Sequence, residues 1–172
     1  VALPELPAFH GRGGFTLELW FRLDGPDGGQ SLFDSRDREG RGIHATIEEG
    51  GILRLAIGGR AWGMPGGTWS CGLMECSWTT DRGLLAPGAL HHVMAIVDGG
   101  PRLILFVVDG RLCDGGDDRQ FGWGRFPREL RDPNGNPLAR IAARMQGSVE
   151  GLGLYARALR VAEAIASFRA GP

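Results

Sequence analysis

Apolar and polar residues alternate from Phe15 to Leu23, with Phe15, Leu17, Leu19, Phe21 and Leu23 on one side and Thr16, Glu18, Trp20 and Arg22 on the other. A period of two predicts a strand with one buried face. Shorter runs at residues 30–35, 42–47 and 52–57, separated by Asp/Gly-rich turns, predict three further strands in an antiparallel meander. Another strand is expected at residues 76–79. Residues 92–97 and 103–108 are nearly continuous in apolar side chains, the mark of central strands covered on both faces. Residues 111–113, 139–143 and 148–155 complete the set. Only the C-terminal stretch changes period. There Val161, Ile165 and Phe168 fall at i, i+4 and i+7, which predicts one short helix with an apolar stripe. Two segments, 58–75 and 114–137, show neither period and are too long for turns, so they are expected to be irregular loops with a functional or pinning role.

Composition narrows the function classes. The chain has 172 residues, enough for one core, so a single domain is expected. Thirty glycines and ten prolines favour a turn-rich β architecture over a helical one. The net charge of −1 argues against a nucleic-acid surface, and the longest apolar run, Leu103 to Val108, is too short for a membrane-spanning helix. All nineteen basic residues are arginine, which removes lysine-based catalysis. Cys71, Cys76 and Cys113 do not have metal-ligand spacing, and their pairing is left open by the sequence. The chain begins at Val1 without Met or a signal sequence, and is expected to be a segment of a longer secreted protein.

Four segments in order resemble the laminin G-like group of the concanavalin A-like lectin/glucanase superfamily. These are Phe15-Thr16-Leu17-Glu18-Leu19-Trp20-Phe21-Arg22, Leu84-Leu85-Ala86-Pro87-Gly88-Ala89-Leu90-His91-His92-Val93, Leu103-Ile104-Leu105-Phe106-Val107-Val108-Asp109-Gly110, and Gly147 through Leu159. Leu90 stands where the family usually has Trp, Glu150-Gly151 where it has Asp-Glu, and Arg160 where it has a helix-capping Ser. The resemblance implies an antiparallel two-sheet β-sandwich of jelly-roll type with a short C-terminal helix, and it places Trp20 in packing. It also implies a calcium ion at a sandwich rim, for which Asp114, Asp117 and Asp118 are the candidates. The run Asp132, Asn134, Asn136 echoes a calcium loop, but Pro137 and Ala143 stand where Gly and Glu are required, so ordinary Asx turns are expected there.

Catalytic apparatus is missing from the sequence. No Glu is followed two residues later by Asp, so the E-x-D-x-E pattern of glucanases of this superfamily is absent, as are nucleophile-elbow, Walker and H-E-x-x-H motifs. Neighbours on a strand point to opposite faces, so His91 and His92 cannot chelate one ion; one is expected to be buried and hydrogen-bonded, the other at the surface. His10 and His44 carry no functional expectation. Sugar faces stack on indoles while polar side chains fix the hydroxyls, which selects Trp62, Trp69, Trp78 and Trp123, with Arg60 and Asp81, as candidate ligand-binding residues. The expected function is that of a non-catalytic carbohydrate-binding module accessory to a secreted glycan-active enzyme. The alternatives are a structural domain packing against a neighbouring domain, and a stand-alone glycan hydrolase or lyase.

Overall fold

The computed structural model describes residues 1–62, 71–116 and 123–172; the side chains at 60–62, 71, 72 and 123 are not among those described. Its strands are β1 (Gly14–Leu23), β2 (Gln30–Asp34), β3 (Gly42–Glu48), β4 (Ile52–Trp62), β5 (Cys71–Thr79) and β6 (Leu90–Asp98). They continue as β7 (Leu103–Val108), β8 (Arg111–Leu112), β9 (Trp123–Arg125), β10 (Arg140–Ile141) and β11 (Gly147–Tyr155), followed by helix α1 (Val161–Ala170). One sheet runs β11-β1-β6-β7-β8 with β9 also on β7; the other runs β10-β2-β3-β4-β5. Every pairing is antiparallel. This is the expected two-sheet sandwich with its short helix.

The alternation read in β1 sets the core. Phe15, Leu17, Leu19, Phe21 and Leu23 turn inward and meet Leu32, Phe33, Ile43, Ile47, Leu53 and Leu55 of the five-stranded sheet, all of them buried. Each such side chain removed from water contributes about 1.5–3 kcal/mol.

On the opposite side of β1 Trp20 is buried, as the resemblance implies, and Thr16 and Glu18 are buried as well, against the one-faced pattern. The C-terminal segment lies over them. Thr16 Oγ1 donates to the Arg157 carbonyl at 3.1 Å and accepts the Leu159 N–H at 2.9 Å. Trp20 stacks on Phe168 of α1 with ring centroids 6.0 Å apart, and on His92 at 4.3 Å. Met94, Ile96 and Val107 pack there with Leu159 and Ala164. Glu163 accepts the Arg160 N–H at 2.8 Å, the N3 side-chain half of a capping box, which forms here without a Ser at the N-cap. The outer face of the six-stranded sheet is therefore closed. No helix packs on the outer face of the five-stranded sheet among the described residues.

The segment 58–75 is also more regular than its sequence suggests. β4 and β5 pair as far as Trp62 opposite Cys71. Gly58 and Gly59 disguise the strand because they serve packing: a Cβ on Gly58 would sit 2.0 Å from the Gly40 carbonyl oxygen, and one on Gly59 would sit 2.7 Å from that of Asp132.

Candidate functional site

The open face of the five-stranded sheet carries a polar recess of about 250 Å³, lined by Ser31, Asp34, Arg36, His44, Thr46, Arg140 and Arg144 among others. A bulge in β2 builds it. Ser31 and Asp34 lie three positions apart, and in a regular strand they would point to opposite faces. The register shifts between Ser31 and Phe33, so Ser31 pairs with Thr46 while Asp34 pairs with His44. The inserted residue sends Leu32 and Phe33 both into the core and returns Ser31 and Asp34 to one face.

Asp34 is the anchor. Its Oδ1 accepts the Arg36 backbone N–H at 3.0 Å and Nε–H at 2.9 Å, while Oδ2 accepts from Arg36 Nη2 at 3.0 Å and Arg140 Nη2 at 2.8 Å. Burial acts to raise its pKa, but the Arg36 hydrogen bonds and charge outweigh burial and hold the carboxyl pKa at about 2. Beside it, His44 Nε2 lies 3.2 Å from Ser31 Oγ and 3.4 Å from Arg36 Nη2. Burial, followed by the Arg36 charge, pushes the His44 imidazole below its ordinary range, so it is neutral at neutral pH. Arg144 has no carboxylate partner among the described residues.

Because the folded-state value of Asp34 lies below its ordinary 3.8, its stabilisation is complete above about pH 4 and is lost as pH falls toward 2. Denaturant unfolding should show Asp34→Asn less stable than wild type by about 2 kcal/mol at pH 7, with the gap closing near pH 2.

The residues selected from the sequence lie elsewhere. Arg60 and Trp62 are on the distal half of β4 and Trp123 begins β9, with their side chains outside those described; Trp69 lies outside the described residues. Trp78 is half-buried on the core side of β5, its Nε1–H donated to the Arg125 carbonyl at 3.2 Å and its ring edge-on to Phe126 at 6.2 Å. It ties the two sheets together.

Asp81 Oδ2 accepts the N–H groups of Asp114 and Gly115 at 3.1 and 3.3 Å, and Asp114 Oδ1 accepts that of Gly116 at 2.9 Å. Asp117 and Asp118 lie outside the described residues, and among those described no group of three His, Cys, Asp or Glu side chains is set to hold a metal ion. Asp81, Asp109 and Asp114 line a separate recess of about 400 Å³, where Asp109 is engaged by the His92 N–H and the His91 ring. These carboxylates fasten turns. Asp132 Oδ1 likewise accepts from the Asn134 backbone N–H at 2.9 Å and side chain at 2.7 Å, and Asn134 in turn grips both backbone polar groups of Leu6. Asx turns thus account for that run.

Both histidines of the pair are buried, one against expectation. His91 reaches the Asp109 carboxylate at 2.8 Å and the Ala86 carbonyl at 2.9 Å, while on the opposite face His92 Nε2 lies 2.9 Å from Glu18 Oε1 under α1. Cys76 and Cys113 are not joined in a disulfide.

The sequence reading passed over His44, Asp34, Arg36, Arg140 and Arg144. Their one legible signal was the polar alternation of β3, where His44 and Thr46 alternate with Ile43, Ala45 and Ile47.

A sandwich with one face sealed by a helix and the other open and polar is a lectin-like scaffold. The chain belongs to the concanavalin A-like lectin/glucanases superfamily, whose laminin G-type family model matches residues 1–164. No curated protein matches it in sequence. Among solved structures it is similar to the CBM40 module of Ruminococcus gnavus IT-sialidase bound to alpha2,6 sialyllactose, with a TM-score of 0.61 and 12% identity over 96% of this chain and 94% of that one. It is also similar to a botulinum neurotoxin type C structure described by its interaction with two ganglioside molecules, with a TM-score of 0.60 and 13% identity over 92% of this chain. The chain spans about a third of that protein's length, 36%. A pentraxin from Limulus polyphemus gives a TM-score of 0.51 and 12% identity over 95% of this chain and 72% of that one. At these identities the likeness is one of fold.

Proposed function

We propose that this chain is a non-catalytic carbohydrate-binding module, working as part of a larger secreted glycan-active protein, and that it meets its ligand on the open face of the five-stranded sheet. The observation that carries this reading is the recess around Asp34. It is a small concave site in which guanidinium, hydroxyl and imidazole groups converge, the donor set that fixes sugar hydroxyls. The similar structures described with sialyllactose and with ganglioside molecules support it. A non-catalytic role is supported by the site's chemistry. Asp34, the carboxylate that lines the recess, is saturated by two arginines and held ionised, so it is free neither to attack a sugar nor to deliver a proton as hydrolysis requires.

A glycan array probed with the chain should give specific binding that falls on substitution within the recess, as in Thr46→Trp, which fills it. Failure to retain any glycan would remove the proposal and leave docking against a neighbouring domain as the use of this face. The candidates Trp62, Trp69 and Trp123, with Arg60, remain proposals for a second contact zone, and Trp62→Ala, Trp69→Ala and Trp123→Ala on the same array test them. Asp114, Asp117 and Asp118 remain the proposal for calcium, tested by calorimetric titration with the ion.

A further inference from the structure

We infer that the recess takes an acidic sugar by its carboxylate, on Arg144 and Arg140, and that His44 makes this binding tighten as the medium is acidified. The inference rests on the glycan-binding reading and specifies its ligand class and its regulation.

Charge selects the ligand. Arg36, Arg140 and Arg144 face the Asp34 carboxylate in the recess, with Glu48 at its edge accepting the Thr46 hydroxyl at 3.1 Å, which leaves a surplus of one positive charge while His44 is neutral. Arg54 and Glu75, the charged pair nearest on the same face, lie 3.4 Å apart and offset each other. The Asp34 oxygens already accept four N–H bonds, and the side chain is 7% exposed. Arg140 engages Asp34 through Nη2, and its side chain remains 66% exposed. Arg144 is also exposed and has no ion-pair partner among the described residues. Two guanidiniums with donors to spare suit the planar fork of a carboxylate, which accepts parallel N–H bonds that a neutral hydroxyl cannot match. At about 250 Å³ the recess lies below the usual range for drug-sized ligands, ~300–1,000 Å³, and so holds one sugar unit rather than a chain. Ser31 and Thr46 offer hydroxyls to that unit.

Protons couple to this site through His44. The groups that face it are Ser31, Asp34 and Arg36 from the β2 side, Arg54 from β4, Glu75 from β5, and Arg140 and Arg144 from the β10 side. Without ligand, burial and the Arg36 charge disfavour imidazolium, with Asp34 and Glu75 opposing them. A bound carboxylate adds a negative charge to the same recess and favours imidazolium. Ligand binding therefore takes up a proton, and by linkage affinity rises as pH falls. Asp34, at about 2, stays ionised throughout that range and contributes no slope.

The test is calorimetric titration of the chain with 3′-sialyllactose, a uronic-acid oligosaccharide, lactose, and inorganic phosphate, between about pH 5 and 8. At least one acidic sugar should bind about ten- to a hundredfold more tightly than lactose or phosphate, the scale of one charge-assisted contact pair. Arg144→Ala should remove most of that margin, and Arg144→Lys should restore only part. Affinity should rise several-fold from pH 8 to 5 in wild type and stay flat in His44→Gln, with circular dichroism showing each variant folded. Lactose binding as tightly as the acidic sugars, with Arg144→Ala without effect, would overturn the inference and leave the glycan-binding reading standing. Phosphate matching the acidic sugars would also overturn it, reducing the recess to a general anion site. A wild-type pH response that is flat, or one that persists in His44→Gln, would overturn the proton linkage. Loss of all carbohydrate binding would defeat both readings.

Discussion

Truncating Phe21 to alanine is expected to cost about 3–5 kcal/mol of unfolding free energy, among the largest effects of any single substitution in the chain. Phe21 is fully buried on the inner face of the C-terminal half of β1, with β11 on one side and β6 on the other, and its ring lies 6.2 Å from that of His91. Two hydrogen-bonded neighbouring strands leave little freedom for collapse, so the volume lost persists as a cavity. Urea unfolding followed by tryptophan fluorescence measures the loss. A change below about 1 kcal/mol, the level of a surface substitution, would mean that β1 is not the spine of the core.

Glu18→Ala is expected to be comparably severe, at about 3–5 kcal/mol, for a different reason. One buried carboxylate gathers the outer face of the six-stranded sheet. Oε1 accepts from Ser167 Oγ of α1 and lies 2.9 Å from His92 Nε2, and Oε2 accepts from Tyr155 OH at 2.6 Å. Its removal strands His92, which is fully buried and whose Nδ1 already has no partner, and unties α1 from β1. Burial works to raise the Glu18 pKa, but the bonds from Ser167, Tyr155 and His92 together lower it below the ordinary 4.5. The same bond to Glu18 pushes the Tyr155 phenol up to about 12. Since the Glu18 value falls on folding, its contribution to stability is complete above about pH 4.5 and diminishes as pH drops further. Wild type should therefore lose stability on acidification below pH 4.5 more steeply than Glu18→Gln. Hydrogen exchange should report α1 opening first. Equal acid slopes in the two proteins would show that Glu18 is not the latch.

Legibility in the sequence followed periodicity. β1, β6, β7 and α1 announced themselves because a strand or helix against a core repeats its apolar residues at a fixed interval. The far half of β4 did not, since Gly58 and Gly59 answer to the backbones of Gly40 and Asp132 rather than to a hydrophobic neighbour. The burial of Thr16 and Glu18 was hidden for a related reason. Polar residues opposite an apolar face read as solvated, and only the docking of a segment about 140 residues away covers them.

The recess was hidden twice. The β2 bulge breaks the rule that residues three apart face opposite ways, and Arg140 and Arg144 come from a distant part of the chain with no periodic signal of their own. Loop tryptophans drew attention because indoles are conspicuous in a sugar-binding context, yet Trp78 packs between the sheets.

The most direct test of glycan binding on the open face is a nitrogen-15 correlation spectrum of the chain titrated with 3′-sialyllactose. The expected result is a set of saturable shifts confined to the amides of Ser31, Asp34, His44, Thr46, Arg140, Arg144 and their immediate neighbours. Shifts confined to residues 60–72 and 117–123, or none at millimolar ligand, would contradict the assignment of the ligand to this face.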